Sequence, residues 1–193
     1  NGYDHEDFDE HYLDYGTLPT TDRFRLVYTG TLWNLTDVAP VVAAIEQLHE
    51  RTPKLAARLE FVAIGRKTPE QQQLLGRLSA TACRVISRDY CEHSQVLAWQ
   101  QSADALCLLL SDVPGAERVV PAKLFEYLAN RRALLGVTPT GETASILERF
   151  HPDSRFAPTD VAGVCRWLQR QLTTDHEPAE TYSRNDLREF SRE

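Results

Sequence analysis

The sequence predicts a doubly wound α/β domain, a parallel sheet with helices on both faces. Three observations predict it. Segments of strand and helix character alternate along almost the whole chain, the pattern of successive βα units. The connections between them are short. Ala105-Leu106-Cys107-Leu108-Leu109-Leu110 is an unbroken apolar run, the mark of a strand buried on both faces.

Residues 1–22 begin with Asn1-Gly2-Tyr3-Asp4 and run on as an acidic, aromatic stretch to Tyr15. Apolar periodicity there is too weak for a core element, so a linker or peripheral arm is expected, with a loop over 16–21. Phe24-Arg25-Leu26-Val27-Tyr28 reads as a strand, and Thr29-Gly30-Thr31 as its tight exit. Thr36 or Asp37 can cap a helix in which Val38, Val41, Val42, Ile45 and Leu48 keep helical spacing to about Arg51. Pro40 falls in its tolerant first turn.

Leu59 to Ile64 is a second strand, ended by Gly65, and Pro69 starts a helix reaching Leu78. Cys83 to Ile86 is a short third strand, and His93 to Ser102 a helix carrying Val96, Leu97 and Trp99. After the apolar fourth strand, a loop from Ser111 to Val120 leads into a helix opened by Pro121, which suits a first helical position. Ala133 to Val137 is a fifth strand, Thr140 to about Phe150 a helix, and Ser154 to Ala157 a short sixth strand. Asp160 to Leu172 is a helix, and a last helical stretch is expected from about Ala179 to Phe190. The compact domain is thus placed at 23–175, with 176–193 as a terminal helical segment.

Ligands of such sheets lie beyond the carboxyl ends of the strands, at a topological switch point. Two loops meet that requirement, Thr29 to Asn34 after strand one and Ser111 to Val120 after strand four. Bulk properties narrow the choice. The chain has 193 residues, 42% hydrophobic and 25% charged, ordinary values for a soluble domain. A formal charge of −7 speaks against a nucleic-acid surface. Cys83, Cys91, Cys107 and Cys165 show no zinc or disulfide spacing, and three of them sit in apolar runs as expected of buried thiols. A reducing, cytoplasmic setting fits. No apolar run has the length of a membrane span, and no signal peptide is recognised. There is no methionine, so the chain is taken as a fragment or processed product. A lone Gly30 replaces G-x-G-x-x-G after strand one, and no G-x-x-x-x-G-K-[ST] loop is present, which excludes the common NAD and P-loop fingerprints. Strand ends at Tyr28, Ile64 and Ile86 lack the acidic cluster of a phosphorelay receiver.

Lys123 and Glu126 stand out. They are three apart and share one flank of the helix after Pro121. A cation in a first turn opposes the helix macrodipole, and Lys before Glu is the weaker order for a helical pair. An anion site would explain the order: lysine attracts phosphate, and a carboxylate one turn on accepts from sugar hydroxyls. A solvated ion pair, worth about 0.2–0.5 kcal/mol, explains it as well.

Four motifs in order carry a resemblance. Asn1-Gly2-Tyr3-Asp4…Phe8, Val27-Tyr28-Thr29-Gly30-Thr31-Leu32, Ser102-Ala103-Asp104-Ala105-Leu106 and the run Val120-Pro121-Ala122-Lys123-Leu124-Phe125-Glu126-Tyr127-Leu128-Ala129 resemble segments of the retaining glycosyltransferases of family 4. These have the GT-B architecture of two Rossmann-like domains. The resemblance implies that this chain is the C-terminal domain, which binds a UDP-, GDP- or ADP-sugar without a metal or other cofactor. Acceptor glycan, lipid or small molecule would bind the absent N-terminal domain, through which the protein could also sit peripherally at a membrane. It further implies that Glu126 binds the donor ribose, that Lys123 lies near the phosphates, and that Gly30 and Thr31 present backbone N–H groups to the diphosphate. The family's first motif glutamate falls on Arg118, with Glu117 adjacent, so the catalytic residues stay unassigned with these two as candidates. The basic pair that many relatives carry after the first strand is replaced here by Thr31 and an uncharged neighbour such as Leu35.

Other positions keep two readings each. Trp33 could line the cleft or pack on the domain, Arg88 could meet base or phosphate or be exposed, and His93 could touch ligand or start a helix. Thr143 could touch phosphate or cap, Asp112 could contact sugar or be solvated, and His151 reads as a loop residue. Tyr182 and Arg184 would lie where the chain crosses toward the absent half. The competing functions are a non-catalytic GT-B domain kept for partner binding and a nucleotide-sugar epimerase-like domain.

Overall fold

The computed structural model describes residues 3–4, 18–174 and 191–192. Its strands are β1 (Tyr3–Asp4), β2 (Phe24–Thr29), β3 (Leu59–Ile64), β4 (Arg84–Arg88), β5 (Ala105–Leu109), β6 (Ala133–Val137), β7 (Arg155–Phe156) and β8 (Ser191–Arg192). Its helices are α1 (Ala39–Arg51), α2 (Pro53–Ala56), α3 (Pro69–Arg77), α4 (His93–Gln101), α5 (Lys123–Ala129), α6 (Glu142–Phe150) and α7 (Val161–Thr173), with 3-10 turns at Leu78–Ala80 and Ala116–Arg118.

Strands β2 to β7 form one parallel sheet in the order β4-β3-β2-β5-β6-β7. The chain winds outward from β2 through β3 to β4, then crosses back and winds the other way from β5. This is the doubly wound order, and the reversal between β2 and β5 is its switch point. The loops after these two strands are the pair singled out above. Every residue of β2, β3 and β5 is buried, as strands covered on both faces must be.

Alternation along the strands splits the core in two. Leu26, Tyr28, Phe61, Cys107 and Leu135 face a cluster with α1, α2 and α7. Val27, Val62, Leu106, Leu108 and Leu134 face the other, built with α4, α5 and α6. Helix α1 contributes Val41, Val42, Ile45 and Leu48, and α7 contributes Val164, Trp167, Leu168 and Leu172. The Asp160 carboxylate caps α7 by accepting from Gly163 N at 2.8 Å.

One polar row interrupts the second core. Register aligns Arg25, Glu60 and Arg84 across three strands. Arg25 Nε donates to Glu60 Oε1 at 2.6 Å, and Arg84 Nε lies 3.2 Å from Glu60 Oε2. Arg25 also donates to Ser102 Oγ and Pro19 O, and its guanidinium stands 5.1 Å from the Trp99 ring. A buried pair is tolerated because the guanidinium is met this way and Glu60 Oε2, which takes no hydrogen bond, faces the Arg84 charge.

The predicted elements recur with small shifts. Helix α2 was not anticipated, and β7 spans two residues rather than four. Helix α5 begins at Lys123, not Pro121. Pro121 lies in the preceding turn, where its carbonyl accepts from Leu124 N at 3.0 Å. The expected helix at 179–190, with Tyr182 and Arg184, and most of the arm at 1–22 lie outside the described residues, apart from β1, which pairs in parallel with β8. Among the described residues, no helix is long and apolar enough to cross a membrane.

Candidate functional site

The carboxyl end of β2 turns sharply at Gly30, whose φ is +120°. Gly30 N donates to Ile64 O at 2.8 Å, and Gly65 N donates to Arg88 O at 3.1 Å, so the exits of β2, β3 and β4 are stitched together. Gly65 has φ +123°, and a Cβ there would collide with the Gly30 carbonyl. Lys67 Nζ caps the same edge by donating to Gly65 O and Arg88 O.

Lys123 reaches this turn from the first residue of α5. Its Nζ donates to Thr29 O at 2.8 Å and to Tyr28 Oη at 3.0 Å, and it stands 4.3 Å from the Tyr28 ring centroid. A Cβ at residue 30 would lie 2.6 Å from that nitrogen. The ammonium therefore fills the space that glycine leaves open. Burial pushes its pKa down to about 8, against the opposing pull of the Glu126 carboxylate.

Glu126 follows on the same flank, half-buried. Its Oε2 accepts from Gln100 Nε2 at 3.4 Å. Gln100 is fully buried on α4. It also donates to Thr29 Oγ1 at 3.2 Å, and its own oxygen accepts from Asn130 Nδ2 at 2.9 Å. Tyr127 Oη accepts from Thr29 N and shares a hydrogen bond with Thr29 Oγ1, both at 2.9 Å. The structure thus brings Gly30, Lys123 and Glu126 together and adds Tyr28, Thr29, Gln100, Tyr127 and Asn130. Gln100 left a signal in the sequence: it stands four residues after Val96, on the helix flank that faces the core. Tyr28 and Tyr127 left none, because a strand or helix tyrosine in an apolar run reads as packing.

Thr31 is exposed, and its carbonyl accepts from Tyr28 Oη at 2.8 Å and Thr36 Oγ1 at 2.6 Å. Glu117 and Arg118 lie on the exposed 3-10 turn of the second loop and pair with each other at 3.6 Å. Thr143 does not cap α6. Its hydroxyl donates to Val119 O at 2.6 Å and ties the second loop to that helix. Trp33 is 43% exposed rather than packed on the domain. Arg88 closes β4 with an exposed side chain, and His93 opens α4. Asp112 is exposed beside a groove of about 450 Å³, whose walls include Asp37, Pro40, Ser111, Pro158 and Val161. His151 lies in the loop that follows α6, as expected, but is buried there, and burial pushes its pKa down to about 4. Cys83, Cys107 and Cys165 are buried, free thiols. Among the described residues, no group of three or more His, Cys, Asp or Glu is arranged to hold a metal.

Chemically, the cluster offers one desolvated ammonium at a glycine turn and one oriented carboxylate a helical turn away. The first suits an anionic oxygen, the second a pair of hydroxyls.

No protein-family model and no curated protein matches the chain. Solved structures do. A trehalose-6-phosphate synthase, OtsA, aligns at TM-score 0.66 and 14% identity over 90% of this chain and 43% of its own. A UDP-forming α,α-trehalose-phosphate synthase from Burkholderia xenovorans, in complex with glucose-6-phosphate, aligns at 0.60 and 18% over 86% and 39%. A trehalose-6-phosphate structure from E. coli, bound with UDP-2-fluoro glucose, aligns at 0.58 and 15% over 80% and 37%. The chain spans about two fifths of the length of these proteins. At this level of identity the likeness is one of fold, and the chain carries the Rossmann-like α/β fold of GT-B glycosyltransferase chains.

Proposed function

We propose that the chain is the nucleotide-sugar-binding domain of a retaining, metal-independent glycosyltransferase, one that moves a sugar from an NDP-sugar to a hydroxyl acceptor. One observation carries this: Lys123 reaches from α5 to the Gly30 turn, with Glu126 one helical turn on and joined to the end of β2 through Gln100, at the switch point where such sheets bind ligands. Glu126 accepts from the ribose hydroxyls. Lys123 and the backbone N–H of Thr31 meet the diphosphate; the Gly30 N–H expected to join them is already given to Ile64 O, so Gly30 serves by the open space of its turn. Departure of a nucleoside diphosphate needs positive charge already in place where negative charge develops, and a desolvated ammonium supplies it. The acceptor would be held by a second domain, in keeping with neighbours more than twice as long. UDP is the first nucleotide to test, since a neighbour is UDP-forming and another is bound with a UDP-sugar analogue.

Calorimetric titration with UDP, GDP and ADP tests the proposal. One nucleotide should bind, and Glu126→Ala should weaken it at least tenfold. If none binds to the chain or to a longer protein containing it, the domain is a non-catalytic member of the fold. Arg118, where the resemblance calls for glutamate, motivates that alternative.

A further inference from the structure

We propose that Tyr28 is the positioning residue of this site: its hydroxyl and ring hold the Lys123 ammonium over the Gly30 turn and fix the turn itself. The proposal rests on taking the turn as the phosphate cradle.

Tyr28 is wholly buried in β2. It faces the α1 and α7 side of the sheet, where its strand neighbours on that face are Phe24 and Leu26. Packing alone asks for no hydroxyl there, and a buried hydroxyl must find partners. It finds two. The single hydroxyl proton goes to Thr31 O at 2.8 Å, the exit of the turn. The lone pairs are then left for Lys123 Nζ, which donates at 3.0 Å. The ring lies under the same nitrogen at 4.3 Å, a cation–π distance. One side chain therefore pins both the ammonium and the backbone on the far side of Gly30.

Thr29 O also accepts from Lys123 Nζ, at 2.8 Å, but it belongs to the strand end that the turn leaves; the other side chains facing Lys123 do not duplicate the role of Tyr28. Cys107 on β5 is a thiol whose pKa burial pushes up to about 12, so it stays neutral. Glu126 stands one turn along the same helix, and Tyr127 is committed to Thr29. Burial also raises the Tyr28 pKa, which keeps the phenol neutral throughout the range where the lysine titrates. A lysine side chain is floppy, and an ammonium already held in place loses less freedom when an anion arrives. Tyr28 thus prepares the site without needing to touch the ligand.

The chain has three lysines, Lys54, Lys67 and Lys123, so their Cε resonances can be assigned with Lys123→Met alone. In the ligand-free wild type, Lys123 Cε protons should be shifted upfield by the Tyr28 ring and should titrate near 8. In Tyr28→Phe they should titrate at a displaced pH. A Lys123 signal at the position of a solvent-exposed lysine in the wild type overturns the proposal, with no variant needed. So does a Tyr28→Phe protein in which the titration is unchanged.

Nucleotide titration adds the second arm. Tyr28→Phe should bind UDP about tenfold more weakly, as loss of a hydrogen bond to a charged group implies, with the pH midpoint of its affinity displaced in step with the lysine titration. Wild-type affinity and midpoint in Tyr28→Phe overturn the proposal. If the wild type binds no nucleotide at all, the donor-site proposal fails, while the ligand-free lysine titration still decides the role of Tyr28.

Discussion

Lys123→Met removes the charge at the Gly30 turn and keeps the reach of the side chain. Its expected effect on stability has an unusual sign. The fall of the lysine pKa from 10.5 to about 8 means that the charged form is disfavoured by about 3 kcal/mol in the folded protein, at about 1.36 kcal/mol per pKa unit. Removing the amine strands no partner. Tyr28 Oη still donates to Thr31 O at 2.8 Å, and Thr29 O still lies 3.4 Å from Tyr127 Oη. The methionine must pack where an ammonium sat, which takes back part of the gain. The variant should therefore be more stable than wild type at pH 7, by about 1–3 kcal/mol. The pH dependence follows from linkage. Between pH 8 and 10.5 the unfolded chain holds a proton that the folded chain has released, so wild-type stability rises with pH across that window. The lysine's cost is full below pH 8 and gone above 10.5, and at pH 9.5 the gap between the proteins should shrink by about 2 kcal/mol. Urea denaturation of both proteins at pH 7 and 9.5 measures this. A Lys123→Met protein destabilised by more than about 1 kcal/mol at pH 7, beyond what imperfect packing takes back, would refute the reasoning. So would a gap that ignores pH. Either outcome would make Lys123 a structural tie and not a group held at a cost for a ligand.

Gly65→Ala places a side chain at φ +123° and drives its Cβ into the Gly30 carbonyl. It should cost at least about 2 kcal/mol in urea denaturation and abolish nucleotide binding, whereas Gly76→Ala, at a helical position with open space around it, should gain up to about 1 kcal/mol. His151 is held near pH 4 by burial. The unfolded chain therefore takes up a proton first as pH falls from about 6.5, and stability should drop by up to about 3 kcal/mol on the way to pH 4. Chemical denaturation across that range should show the drop, and His151→Gln should flatten it.

What was legible in the sequence was what is local. Leu59 to Ile64 has the same bounds in sequence and structure because an apolar run between breakers admits one element. The loops at the switch point were legible because strand alternation forces parallel crossovers. The start of α5 was not. Pro121 is a good first helical residue by propensity, but the loop before it is held by Thr143, 24 residues further on, through Val119 O. Arg25 looks like an ordinary polar position in a strand, and its partner Glu60 is 35 residues away. Tyr28 and Tyr127 are silent for the same reason, and the spacing of Gln100 shows only that it faces the core. Their hydroxyl and amide groups are used across the sheet, and no spacing in the sequence records that.

Lys123 is the instructive exception, because it was conspicuous for being wrong where it stood. A lysine at the start of a helix works against the dipole, and its nearest acid is in the poorer order. The structure supplies the reason. The side chain does not serve its helix at all: it leaves α5 and binds the end of β2, through Thr29 O and Tyr28 Oη. A residue that is unfavourable by every local rule and still half-buried has to be answering a distant requirement. Here that requirement sits at the switch point, beside a glycine that could bear no side chain without displacing the ammonium. Gly30 and Lys123 are thus one feature, an open backbone and the cation that fills it. Any ligand that enters the turn must either displace that ammonium or be bound by it, and a phosphate oxygen is of the class that is bound.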